Sequence, residues 1–234
     1  MNRYSVLHNR EIVLLKSKPC FWGQCSFCDY IEDNAVNIEE INSLNVAVLK
    51  KITGEKGALE VINSGSCFEL PHESLMAVKE VVTAGHIKKL YLESHWHYRH
   101  RLEEIRSFFG IPVIFKIGVE TFDNDFRNNY LNKNAYFKDA AEVKKYFDSV
   151  CLMVGIKGQT KEMISKDIAL LLQYFDYGTI NIFTENTTPI QRDDALISWF
   201  IKEYEHLKHK PGIDVLIENT DFGVGNERGE LVHE

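Results

Sequence analysis

Short apolar runs alternate with longer amphipathic stretches along the whole chain, and this alternation narrows the fold more than any other feature. An apolar run too short for a helix reads as a strand buried on both faces. A following stretch with apolar residues every three to four positions reads as a helix laid over the sheet. The pattern predicts strands over Ile12–Ser17, Leu59–Ser64, Lys89–Glu93, Val113–Val119, Ser149–Val154, Thr179–Phe183 and Ile213–Ile217. Helical spacing spans Ile38–Ile52, Ser74–Ala84, Arg99–Phe109, Phe137–Phe147, Lys161–Phe175 and Asp193–Leu207. Helix starts are marked by Pro71-His72-Glu73-Ser74, and by Gln159-Thr160-Lys161-Glu162 with its N-cap and early carboxylate. Six strand–helix units and one last strand are too few for a closed eightfold barrel. They predict an α/β fold, a partial (β/α)6 TIM-like barrel, as one domain over residues 1–234 with no linker or repeat. Functional groups in such folds collect at the carboxyl ends of the strands.

Directly after the first predicted strand stand three cysteines, Cys20, Cys25 and Cys28, in the spacing C-x4-C-x2-C. Thiols this close cannot form an unstrained bridge without leaving one over, but they can wrap one corner of a metal cluster. Zinc would want a fourth ligand, and the nearest candidates, Asp29 and His8, lack the pairing of a structural finger. An iron–sulfur cluster held by three cysteines keeps one iron open for chemistry. A non-catalytic iron–sulfur or zinc protein is the competing class. The other two cysteines, Cys67 and Cys151, stand outside the trio, and Cys67 reads as a small packed residue.

The net charge of −7 argues against a general nucleic-acid binder and for a small-molecule substrate. No apolar run approaches the ~20 residues needed to span a bilayer. The first residues, Met1-Asn2-Arg3-Tyr4, lack an apolar signal core, so cytoplasmic localisation is expected.

The cysteine loop, with Phe27 before its last cysteine, resembles that of the radical S-adenosylmethionine enzymes. Their common spacing, C-x3-C-x2-C, is one residue shorter in the first gap. The resemblance implies a [4Fe-4S] cluster whose open iron chelates S-adenosyl-L-methionine, an electron donor such as flavodoxin or ferredoxin, and a partial barrel core. It continues at successive strand ends. Ser64-Gly65-Ser66 stands where relatives carry a segment that grips the methionine amine, and Gly65 permits close backbone approach. Glu93-Ser94 looks like the Glu-Ser or Glu-Thr pair that ends this strand in relatives, where the carboxylate can accept the ribose hydroxyls. Gly118-Val119-Glu120-Thr121, with the helical Arg127 after it, is similar to a Gly-x-Glu-Thr segment, Arg127 being a candidate for the cofactor carboxylate. Ile156, in Gly155-Ile156-Lys157-Gly158, matches an adenine-facing position. His95, His97 and His100 read as loop or substrate-lining residues. A plain turn or capped loop is the alternative at each of these places.

Residues from about 178 onward complete a substrate pocket in this reading. Glu185-Asn186 and Asp221-Phe222 set carboxylate and amide groups beside aromatics, a mix that can hold a flat heterocycle. Among small family members the chain is most similar to the queuine lyases. That likeness implies cleavage of a C–N bond in queuine with release of an aminomethyl-deazaguanine. Another small nitrogenous substrate is the alternative.

Overall fold

The computed structural model describes residues 2–7 and 9–217. Its single sheet runs in chain order from β1 to β8, comprising β1 (Tyr4–Leu7), β2 (Arg10–Leu15), β3 (Ala58–Asn63), β4 (Lys89–Glu93), β5 (Val113–Glu120), β6 (Ser149–Val154), β7 (Tyr177–Ile182) and β8 (Ile213–Leu216). From β2 to β8 every pairing is parallel, whereas β1 pairs antiparallel with β2, Tyr4 opposite Val13. β1 has no apolar run to announce it: its four residues are partly exposed and carry Val6 outward.

Between the parallel strands lie α1 (Ile38–Leu49), α2 (His72–Ala84), α3 (Leu102–Phe109), α4 (Ala140–Lys144), α5 (Lys161–Tyr174) and α6 (Asp194–Glu203). Side-chain caps fix four of the starts: Asn37 accepts the Glu39 and Glu40 N–H groups, Asp139 that of Glu142, Thr160 that of Met163, and Asp193 that of Leu196. α3 begins later than its apolar spacing suggests because Trp96–Tyr98 forms a 3-10 turn, capped by His95 Nδ1 accepting the His97 N–H at 3.2 Å. This is the expected order of six strand–helix units and a final strand.

The two faces of the sheet differ in kind. The outer face buries Val13, Val61, Leu92, Phe115, Leu152 and Ile180 against the helices in one continuous core. On the inner face, charged residues stand among the apolar ones: Arg10 on β2, Glu60 on β3 and Lys116 on β5 are all buried. Arg10 Nε meets Glu60 Oε2 at 2.5 Å, and Lys116 pairs with the other oxygen of the same carboxylate. Arg10 Nη2 also reaches Asp214 on β8 at 2.6 Å. The ends of a seven-strand parallel sheet therefore meet through side chains, which requires the sheet to curl into a partial barrel.

Candidate active site

At the carboxyl ends of the strands the inner face opens into a cavity of about 440 Å³, and all three loop cysteines line it. Each is a free, partly exposed thiol. Gly23 takes a left-handed φ of +61°, which turns the chain within the long first gap of the motif. A second loop, residues 130–134, then holds the turn from outside. Trp22 Nε1 donates to Asn132 O at 2.6 Å, Asn132 Nδ2 to Gln24 O at 2.7 Å, and Ser26 N to Leu131 O at 3.0 Å. Asn186 fastens the other side, donating to Phe27 O at 2.8 Å, while Thr187 Oγ1 donates to Glu32 at 2.6 Å.

Burial pushes the Cys25 thiol up and the Cys28 thiol up to about 12, with Lys133 pulling both the other way. Such thiols ionise when a metal takes the charge. Among the described residues no three His, Cys, Asp or Glu side chains converge on a point suited to a single ion. A cuboidal cluster asks for something else, one thiolate for each of three irons, all facing one space. The three cysteines on one cavity fit that demand.

Lys133 was not singled out by the sequence. It projects from the 130–134 loop between two left-handed asparagines, Asn132 (φ +50°) and Asn134 (φ +54°), and lines the cavity. Its ammonium donates to Glu120 at 2.7 Å and lies 5.3 Å from the centre of the Phe27 ring. Burial alone would lower its pKa, but Glu120 and the Cys25 thiol outweigh that and hold the ammonium above the usual lysine range. Glu120 itself has a left-handed φ of +61°, at a register irregularity in β5. Gly118 is required beneath the pair, because a Cβ there would stand 2.5 Å from Glu120 Oε1 and 2.9 Å from Lys133 Nζ.

Of the residues expected at the site, Phe27, Ser64, Gly65, Glu93, Ser94 and Glu120 line the cavity, as do Glu185 and Asn186 at its mouth. Others lie elsewhere. The Arg127 side chain is fully buried off the cavity, donating to Ala135 O, Thr121 O and Asn124 Oδ1 at 2.8–3.0 Å over the Phe137 ring. It is committed to holding its own turn, so its expected contact with a cofactor carboxylate has no support in this geometry. Ser66 is taken up in a capping box with Glu69 and bonds Ser94 Oγ at 3.1 Å. Ile156 packs behind Phe27 and Phe183, bracing the cavity wall without lining it. Asn186 serves as a fastener of the cysteine loop. Asp221 and Phe222, like His8, fall outside the described residues. His95 lines the cavity and meets Lys133 O at 3.0 Å, and His97 stacks on Phe21 at 3.9 Å.

Deeper in the cavity, beside Cys151 and Asn181, lies a group the sequence reading passed over, the Arg10–Glu60–Lys116 network. A charged residue inside an apolar strand, as in Leu59-Glu60-Val61 and Phe115-Lys116-Ile117, is the signal that could have found the network. Burial would raise the Glu60 pKa, but Lys116 and Arg10 reverse this and keep its carboxyl below the usual range.

No family model matches the chain. An uncharacterized protein of Methanocaldococcus jannaschii is 27% identical over 165 residues, which span 62% of this chain but only 44% of that relative. A radical SAM methyltransferase from Sphaerobacter thermophilus, 14% identical, superposes with a TM-score of 0.63 over 91% of this chain and 67% of its own, a likeness of fold alone. The queuine lyase from Clostridium spiroforme, whose structure holds SAM and queuine, is 55% identical, with a TM-score of 0.93 over 97% of this chain and 100% of that one. Identity at this level over both chains, together with a cavity lined by three cysteines at the mouth of a partial barrel, places the protein in the queuine lyase family of radical S-adenosylmethionine enzymes.

Proposed function

We propose that this chain is a radical S-adenosylmethionine lyase that cleaves the C–N bond of queuine and releases an aminomethyl-deazaguanine. The observation that carries the reading is the 55% identity, over the whole of both chains, to a queuine lyase bound to SAM and queuine. A [4Fe-4S] cluster with S-adenosyl-L-methionine supplies, when bound, a 5′-deoxyadenosyl radical that removes hydrogen from the substrate. The protein's part is to bind, orient and keep out water.

In this reading Cys20, Cys25 and Cys28 hold the cluster. The turn Ser64-Gly65 presents backbone to the methionine end of the cofactor, and Ser94 and Glu120 face its sugar. Lys133 takes the part expected of Arg127: it is the cation on the cavity wall beside the thiols, and its remaining N–H donors can meet the cofactor carboxylate. Phe27, Ile62, Met153 and Phe183 give the cavity apolar wall against which flat rings can lie. Cytoplasmic localisation and reduction by a flavodoxin- or ferredoxin-like donor belong to the same proposal; no helix among the described residues is long and apolar enough to cross a membrane.

The test is anaerobic incubation of the reconstituted protein with S-adenosylmethionine, a reductant and queuine. Formation of 5′-deoxyadenosine together with the aminomethyl base is expected. Deoxyadenosine released while queuine remains unchanged defeats the lyase reading.

A further inference from the structure

The cations that line the cavity are all committed to carboxylates, and a carboxylate deep on its wall that none of them pairs with points to the substrate. Arg10, Lys116 and Lys133 are matched by Glu60, Asp214 and Glu120 in ion pairs. Asp29 shares the Asn186 amide, and Glu185, another lining carboxylate that forms no ion pair among the described residues, accepts the Arg192 N–H at 3.3 Å. Glu93 lines the same space, yet no ion pair involves it among the described residues, and the Cys151 thiol lies 4.0 Å from its Oε1. A largely enclosed carboxylate without a cation costs folding free energy unless a ligand completes it. Burial pushes its pKa up, and Lys116 and Lys133 only partly offset that.

Two more acceptors on the cavity are unfilled. The Oδ1 atoms of Asn63 and Asn181 are buried and have no hydrogen-bond partner, although both residues line the cavity. The Asn63 residue is only 3% exposed. Three acceptors in want of donors describe an occupant rich in N–H and O–H groups, one of them cationic. Glu93 lines the cavity beside Cys151, close enough to Lys116 and Glu60 of the buried network, and to Lys133 and Glu120 by the thiols, for each to act on its charge. It therefore lies between the buried network and the thiol rim.

Resting on the queuine lyase reading, we propose that Glu93 is a substrate-specificity residue that binds the protonated secondary amine of queuine, with Asn181 as a neutral acceptor for a neighbouring hydroxyl. That amine is the one cationic group of the substrate, and its nitrogen belongs to the bond that breaks. An ion pair there fixes the scissile bond relative to the cofactor. Glu93 thus leaves the ribose role to Glu120 and becomes the element that tells an aminomethyl-linked base from a neutral one.

The experiment compares the reconstituted holoenzyme with Glu93→Gln by titration calorimetry. The ligands are S-adenosylmethionine alone and then, with it present, queuine or the neutral 7-cyano-7-deazaguanine. The expected result is a loss of queuine affinity of roughly 10- to 100-fold, the range of a charge-assisted hydrogen bond. S-adenosylmethionine and the cyano base should bind the variant as they bind wild type. Glu93→Asp, which keeps the charge, should fall between the two, and iron content equal to wild type excludes a folding defect. Undiminished queuine binding overturns the proposal. So does a loss that falls on S-adenosylmethionine, which would return Glu93 to the cofactor, or an equal loss for the cyano base, which would make it a reader of the ring. A wild-type enzyme that binds neither base fails at the queuine lyase reading itself, an outcome distinct from a defect confined to the variant.

Discussion

Replacing Lys133 with Met tests whether the cation beside the cysteine loop is paired as the geometry requires. The Lys133 and Glu120 side chains are 14% and 6% exposed and meet at 2.7 Å, so removing the ammonium strands a largely buried carboxylate. Breaking one side of a buried pair costs about 3–5 kcal/mol, and the open face of the cavity puts Lys133→Met at about 3 kcal/mol. Glu120→Gln strands the lysine instead and should cost a similar amount. The double variant loses both charges together and should lie within about 1 kcal/mol of wild type, because a buried pair replaced as a unit is nearly neutral. Anaerobic urea unfolding of the iron-free protein, with a constant m-value as the two-state check, measures each corner of the cycle. Single costs that simply add, leaving a coupling below about 0.5 kcal/mol, would refute the claim that the two groups depend on each other. In the loaded enzyme Lys133→Met should weaken S-adenosylmethionine binding by calorimetry, whereas Arg127→Met should act on stability alone.

Cys→Ala at position 20, 25 or 28 should abolish iron loading, measured by metal analysis of folded protein, while Cys67→Ala and Cys151→Ala retain it. Asn132→Ala removes the bond to Gln24 O and puts at φ +50° a residue that lacks the side-chain amide by which asparagine tolerates the left-handed region; it should cost about 2 kcal/mol, and Asn132→Gly, which adopts that dihedral freely, only about 1 kcal/mol. Burial, aided by Lys133, lowers the His95 pKa from 6.5 to about 4. Between these values the unfolded chain holds the extra proton, so stability should rise with pH across that window and be lost on acidification; His95→Gln should flatten the slope in urea titrations at successive pH values.

The parallel strands and their helices were legible because their apolar runs are bounded by capping residues and turns. β1 was not, since a four-residue edge strand with one exposed face has too little periodicity to stand out. The cysteine trio and most strand-end residues could be placed because their positions follow from where strands stop. Arg127 and Lys133 show the limit. An arginine just after an acidic turn looked available for a ligand, yet the chain enters a π-helical turn at Phe126–Tyr130 and spends the guanidinium on nearby carbonyls. Lys133 sits in a loop whose direction is set by two left-handed asparagines, and nothing in a linear pattern of hydropathy reports where such a loop points.

The ion pair between Arg10 and Asp214 also bears on how the molecule can yield. Neighbouring strands from β1 to β8 are laced by backbone ladders, but among the described residues the outer edges of the sheet are not hydrogen-bonded to each other. Across that seam the inner face is tied by a guanidinium and a carboxylate 2.6 Å apart. A ladder resists spreading over its whole length, whereas one flexible tether sets a maximum gap and lets go at a single point. Widening the barrel for a bulkier guest would thus begin at this seam, by lengthening or cutting the tether, and the seven remaining strand junctions would keep their register.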